Sequence, residues 1–354
     1  MNENALNAIH GSLLGTAVGD SLGLPLENLS PERLRRLFPG PLRQRFGWGW
    51  GMVSDDTEHA CLTALAYGDS QTSKRMFGYL LSWGLRQWFL GGPPGIGFAT
   101  LRACLKLMIG FSWDTSGVWS AGNGPGMRAP ILGVLTGDRP ERLIRMVQAS
   151  TIVTHTDPKA FSGSLILAFA AHWAMEHAGR DLAAPEFLAR LRGIPEITPE
   201  AQTLAAQAWE SAACGETVAE FARQIGSNKG ISGYMYHTFP AVLQVWFRFP
   251  ADFAGGLEEI IKAGGDADST AAILGGIIGA AVGPAGIPES WKAIRDWPWN
   301  PSRIEALAGR LAGTSEGRWV PWVPWWTLPF QWVRNVGVVI LILLHVVRRM
   351  LPPY

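Results

Sequence analysis

A chain of 354 residues that is 47% hydrophobic and only 17% charged can bury a large core in one or two domains. Its 30 Lys and Arg against 29 Asp and Glu leave a net charge of +1, which excludes a global electrostatic pull toward nucleic acid. Cys61, Cys104 and Cys214 are widely spaced with no C-x-x-C pattern, so they fit buried small hydrophobes in a reducing compartment better than a disulfide frame or a zinc site. The start, MNENALNAIHGSLLG, lacks a basic segment followed by an apolar one, so no secretory signal is expected and the expected compartment is the cytoplasm.

Along the chain, the alternation that marks strands is scarce, and apolar residues recur at three- and four-residue spacing instead. Such runs cover 58–67, 76–90, 101–109, 141–150, 162–177, 199–213, 218–225, 241–247 and 268–281. Gly- and Pro-rich loops punctuate them at 91–97, 120–130 and 154–158. The expectation is an all-α fold of many helices, with function concentrated in the loops at their ends. Stretches such as GTAVGDSLG (15–23) and AAILGGIIGAA (271–281) are rich in small residues, which lets helix backbones approach closely.

Two acidic turns open apolar helical runs: Ser54-Asp55-Asp56-Thr57-Glu58 and Gly264-Gly265-Asp266-Ala267-Asp268-Ser269-Thr270. Ser, Thr and Asp favour helix N-termini, where they cap free N–H groups and meet the positive end of the dipole, so either turn alone is explained by capping. Together they would bring four carboxylates and two hydroxyls to one place. Such a cluster raises its own pKa values by repulsion and desolvation unless a cation shares it. Hard oxygen donors without His or Cys nearby point to Mg²⁺ or Mn²⁺ rather than zinc, in a binuclear site with positions left open for water and substrate. Upstream, Glu27 ends the segment GDSLGLPLE, either as a surface residue or as a carboxylate at the metals.

The segments GDSLGLPLE (19–27), SDDT (54–57), SAGNGPGMR (120–128), THTDPKAF (154–161), GYMYHT (233–238) and GGDADSTAA (264–272) resemble those of the ADP-ribosylglycohydrolase family, in the family's order. The resemblance implies a compact multi-helix fold over residues 1–312 with a binuclear cleft for two divalent cations, Mg or Mn. It implies Ser54, Asp55, Asp56, Asp266, Asp268 and Ser269 as metal ligands, with Glu27, Asp55 and Asp268 in catalysis. Serine stands at 54 and 269 where many members carry threonine; it keeps the oxygen and loses the methyl that restricts the rotamer.

The glycine-rich loop, with Ser120, Gly122, Asn123, Gly124, Met127 and Arg128, matches the segment that lies against diphosphate and ribose. Gly122 and Gly124 would permit unusual dihedrals and close backbone approach. His155 and Asp157 match a region near the ligand, and Tyr234 an aromatic position over the adenosine. Arginine-specific bacterial members carry an aspartate in a D-I-G…T segment; here the corresponding stretch is Gly95-Ile96-Gly97 onward, with glycine at the acidic position. The implied reaction is hydrolysis at the anomeric carbon of an ADP-ribosyl group, through an oxocarbenium-like transition state beside carboxylates. The implied partner is an ADP-ribosylated protein, with the arginine linkage less secure than serine or another acceptor. The competing readings are an inactive ADP-ribose-binding module, a membrane-associated scaffold, and a different metal-dependent hydrolase of a related nucleoside or phosphoribosyl compound.

Residues 313–354 change character. Trp319, Trp322, Trp325, Trp326 and Trp332 lie among prolines, and VGVVILILLHVV (336–347) precedes Arg348-Arg349. That apolar run is shorter than the ~20 residues of a bilayer span. It suits either an interfacial anchor with peripheral membrane contact, or a terminal helix docked on the body or a partner.

Overall fold

The computed structural model describes residues 3–46, 49–314 and 320–350; Trp319 and residues 351–354 lie outside the described residues, as do the side chains of Arg348 and Arg349. Among the described residues the chain forms sixteen α-helices and no strand. They are α1 (Glu3–Gly23), α2 (Pro31–Leu37), α3 (Asp55–Asp69), α4 (Lys74–Leu90), α5 (Phe98–Met108), α6 (Ala129–Thr136), α7 (Pro140–Ile152) and α8 (Pro158–Glu176). There follow α9 (Ala184–Arg192), α10 (Pro199–Ala213), α11 (Val218–Gln224), α12 (Met235–Arg248), α13 (Phe253–Lys262), α14 (Ala267–Val282), α15 (Pro301–Ala312) and α16 (Leu328–Met350). The all-α expectation holds. Capping chemistry sets many boundaries: Ser30, Ser54, Ser73, Thr198, Thr217 and Asn300 each accept a hydrogen bond from a first-turn N–H.

Four-residue spacing of glycine decides the centre. Gly11, Gly15, Gly19 and Gly23 form one stripe of α1, facing Gly279, Gly275, Ala271 and Ala267 of α14 in descending order, so the two helices run antiparallel. A Cβ at Gly15 would lie 2.1 Å from the Gly275 carbonyl oxygen, and one at Gly275 would lie 2.2 Å from that of Gly15. The backbones therefore touch, closer than side-chain ridges allow. Helices α3, α6 and α15 pack against α1, while α8, α12 and α13 pack against α14. Residues from Gly11 to Gly23 are all buried, as are those from Ala267 to Ala280, as expected of helices enclosed on every side.

Two features depart from expectation. Cys61 and Cys104 are buried as foreseen, but Cys214 is exposed at the C-terminal end of α10, where the chain turns outward. The tail forms a helix of 23 residues, nearly twice the apolar run read from sequence. By length and composition the stretch Trp325–Val347 could cross a membrane: an 18-residue window of it has mean hydropathy 1.8 and is only 11% buried. Its polar residues nevertheless bind the body. Arg334 donates two hydrogen bonds to Asp296 (3.0 and 2.6 Å) and one to the Val53 carbonyl (2.7 Å), and pairs with Glu58 at 3.1 Å. The Asn335 amide donates to the Gly91 carbonyl at 2.7 Å, and His345 contacts the Pro25 carbonyl at 2.8 Å while stacking on Phe38. The opposite face, including Phe330, Val333, Ile340 and Leu344, is exposed.

Gly15→Ala should force the α1 and α14 backbones apart and destabilise the protein by about 3 kcal/mol in urea unfolding. Gly337→Ala, whose Cβ meets open space, should be neutral or stabilising by up to about 1 kcal/mol.

Candidate active site

The turn before α14 requires glycine. Gly264 and Gly265 have φ of +70° and +83°, and a Cβ on Gly265 would lie 2.1 Å from the Ile231 carbonyl oxygen. This turn stitches two distant loops together. The Gly265 N–H donates to Leu29 O at 2.9 Å, Asn28 N–H donates to Gly265 O at 2.7 Å, and Asp266 N–H donates to Ile231 O at 2.7 Å. Asn28 takes φ +60°, a conformation asparagine tolerates better than most side chains. The stitching delivers Glu27 to the acidic turn: ligand oxygens of Glu27, Asp266 and Asp268 lie within 4.8 Å of one another.

The start of α3 is held by a residue to which the sequence reading assigns no role. Asp20, fully buried within α1, accepts from Ser54 N–H at 2.9 Å, Thr57 N–H at 3.1 Å and the Thr57 hydroxyl at 2.5 Å. It thereby fixes the SDDT turn from below. Asp56 joins the two acidic turns, accepting through Oδ2 from the Ser54 hydroxyl (3.3 Å) and from the Ser269 hydroxyl (3.1 Å). The Oδ1 atoms of Asp20 and Asp56 are buried without a hydrogen-bond partner.

Burial, then mutual repulsion, raises these acids. Asp55 is pushed up to about 8 by desolvation and by Asp20, Glu58 and Glu27. Asp56 and Asp268 rise well above the usual carboxylate range for the same two reasons, and burial raises Asp266. Burial also lifts Asp20 to about 6, against the pull of its hydrogen bonds. Orphaned buried oxygens, crowded acids and neighbouring hydroxyls form a hard-oxygen donor set that fits a divalent cation.

These residues open into a cleft of about 820 Å³, within the size range of small-molecule sites. Ser54, Asp55, Asp266, Asp268 and Ser269 line it with Glu27, whereas Asp56 lies behind them. The glycine-rich loop supplies Ser120, Gly122, Asn123, Gly124 and Met127. Asn123 ties that loop to the acidic turn, donating to Asp266 at 2.6 Å and to the Thr238 hydroxyl at 3.0 Å. Gly122 and Gly124 are needed for proximity and not for dihedrals: neither has positive φ, but a Cβ on them would lie 3.1 and 3.0 Å from the His155 ring. His155 also lines the cleft, and burial followed by the Arg128 charge lowers it to about 3, so it is neutral at physiological pH. Gly95 and Gly97 sit on the rim; Gly95 has φ +73°, and Gly97 precedes α5.

Three residues expected near the ligand stand outside the cleft lining. Arg128 is fully buried beneath the loop, donating to the Ser150 carbonyl (2.9 Å) and to the Ser150 and Thr154 hydroxyls (3.1 and 2.8 Å), so its guanidinium holds the scaffold. Asp157 caps α8, accepting from Lys159 N–H at 2.8 Å, and does not line the cleft. Tyr234 lies beside the cleft without lining it: its hydroxyl accepts from Lys159 at 3.1 Å, and its ring packs against His237.

The cleft also contains residues that the sequence reading does not single out. The 229–233 loop forms one side, and its Gly-rich composition was the available signal. Glu58, Arg334, Val338 and Ile342 form the other. No local signal marks the last three: Arg334, which anchors their helix, meets Val53 and Glu58 more than 200 residues away in sequence.

The raised Asp55 has a defined consequence for stability. Between its ordinary unfolded value of 3.8 and about 8, the folded state keeps a proton that the unfolded state releases, so stability present at low pH is lost as pH rises. In chelator, Asp55→Asn should therefore be more stable than wild type at pH 8.5, and the gap should close toward pH 5, as read from urea melts.

Comparison with known proteins agrees with this geometry. The family model for ADP-ribosylglycohydrolase matches residues 1–321. The chain is 29% identical over 313 residues to an uncharacterized protein of Archaeoglobus fulgidus, covering 84% of this chain and 94% of the relative. It is 28% identical to the ADP-ribosyl-[dinitrogen reductase] glycohydrolase of Rhodospirillum rubrum, covering 79% of this chain and 87% of that one. Identity is also 28% to the ADP-ribosylarginine hydrolase Tri1 of Pseudomonas putida, covering 87% and 79%. A solved ADP-ribosylglycohydrolase-related protein complex shares the fold, with a TM-score of 0.65 at 24% identity, covering 89% of this chain and all of the other. The chain belongs to the ADP-ribosylglycohydrolase family and is a hydrolase of the glycosidic bond to ADP-ribose.

Proposed function

We propose that the protein releases ADP-ribose from an ADP-ribosylated protein side chain, using two divalent cations of the Mg²⁺ or Mn²⁺ type. The observation that carries this reading is the meeting of Glu27, Asp55, Asp266 and Asp268 in one cleft with the glycine-rich loop. Ser54, Asp55, Asp56, Asp266, Asp268 and Ser269 would hold the cations. When bound, the cations would neutralise the crowded acids and supply Lewis-acid chemistry to the ribose hydroxyls and water.

The chain's own residues would do the rest. Backbone groups of 120–124 bind the diphosphate, and Asn123 keeps that loop in register with Asp266. Holding the nucleotide there fixes the anomeric carbon over the acids by binding energy spent away from it. As the bond to the acceptor breaks, positive charge grows on the ribose, and the surrounding carboxylates stabilise it. Half-buried Glu27, on the cleft wall, takes the proton from the attacking water. Neutral His155 supports the loop from beneath and adds no charge that would oppose the oxocarbenium.

The acceptor is the finer part of the proposal. Two relatives are named for dinitrogen reductase and for arginine. Gly95 stands where arginine-specific members carry an acid, which favours an uncharged acceptor such as serine. Arginine-, serine- and nucleic-acid-linked conjugates, each read for free ADP-ribose, decide between them.

Chelation should abolish release, and Mg²⁺ or Mn²⁺ should restore it. Asp268→Asn should lower kcat about a thousandfold. Its chelator-treated melting temperature should stay within about 5 °C of wild type, because the change removes a repelled carboxylate. Full activity of that variant, or release indifferent to chelation, would sink the metal-dependent mechanism.

A further inference from the structure

The family match ends at residue 321, yet α16 contributes to the same cleft. Arg334, Val338 and Ile342 line it at successive four-residue spacing, which puts them on one stripe of the helix. His345, three residues further, continues toward the body at Pro25, directly before Leu26 and Glu27. The stripe therefore runs along the cleft from the Asp296 and Val53 anchor to the Glu27 loop.

The anchor holds this position firmly. Arg334 is locked by the buried Asp296 carboxylate, the Val53 carbonyl and Glu58, and Val53 immediately precedes the SDDT turn. Glu58 belongs to that turn's helix and also accepts from the Trp88 indole at 2.5 Å. Val338 is 4% exposed, whereas Ile342 is half-buried and so still faces open volume.

The cleft has two ends. The glycine-rich loop, His155 and the 229–233 loop gather around Asn123 and Asp266. Leu24, Val53, Glu58 and the α16 stripe gather on the side of Asp55 and Glu27. If the diphosphate occupies the glycine-rich end, the group that departs from the anomeric carbon leaves toward α16. We infer that α16 is the acceptor-side wall of the active site, with Ile342 a specificity-determining residue facing the leaving group. This inference rests on the ADP-ribosyl hydrolase reading. It gives a role to a segment that hydropathy alone would assign to a membrane.

A pair of charge substitutions tests it. Ile342→Glu and Ile342→Lys place similar long, charged chains at the same half-buried position, so a folding defect would move both variants alike. An acceptor-side wall moves them apart. For ADP-ribosyl-arginine, whose guanidinium is cationic, KM and Kd should fall about fivefold in the Glu variant and rise about fivefold in the Lys variant. Affinities for free ADP-ribose and for the serine conjugate should stay within about twofold of wild type. Equal losses in both variants, no change in either, or matching shifts for free ADP-ribose would overturn the assignment. Wild-type protein that releases ADP-ribose from neither conjugate would fail the hydrolase reading instead. The wall is then judged from the same two opposed shifts in Kd, measured by calorimetry.

Discussion

Backbone contact between α1 and α14 is the constraint on which the rest of the molecule depends. Because glycine lines the α1 stripe and only glycine and alanine face it from α14, the two helices meet backbone to backbone from Gly11 to Gly23. That contact aligns the C-terminal end of α1 with the N-terminal end of α14. Gly23 faces Ala267 and Asp268, so the chain leaves α1 directly beside the acidic turn. Glu27 needs only a short 3-10 turn, Leu24–Leu26, and the bridge from Leu29 to Gly265 to reach its place. Spreading the pair by even an ångström would move the two halves of the acidic site relative to each other.

The same enclosure that makes the core rigid makes the site costly. Five acids lie in or behind one cleft wall, and desolvation is the largest cause of the upward shift in each of the four aspartates among them. A fold selected for stability alone would not gather them. Asp20 contributes to this arrangement without facing the cleft: it takes the Ser54 and Thr57 donors at the start of α3, while the Ser54 hydroxyl takes that of Asp56. Structural and chemical roles are thus divided among neighbouring carboxylates. The two turns also use different supports, a buried capping aspartate for SDDT and paired left-handed glycines for GGDADST.

How much of this was legible beforehand depended on how local each cause is. The acidic turns were readable because hydroxyls and acids at a helix start carry chemistry within four or five residues. The small-residue stretches likewise announced close helix packing. Arg128, Asp157 and Tyr234 share motifs with cleft residues, but burial under Ser150, capping of α8 and pairing with Lys159 are set by tertiary contacts that spacing does not encode. Gly122 and Gly124 line the cleft, yet their need is a histidine ring more than 30 residues later and not a backbone angle. Asp20 was invisible as a cap because its partners begin 34 residues downstream. The tail was the least legible part, since mean hydropathy ignores which face its few polar residues occupy.

That tail also has a consequence in time. Synthesis runs from the N-terminus and earlier segments fold as they emerge, so Pro25, Val53, Gly91 and Asp296 are all made before Arg334, Asn335 and His345. The receiving surface for α16 exists before the helix does. An apolar segment of 23 residues therefore leaves the ribosome with polar partners already waiting for three of its side chains.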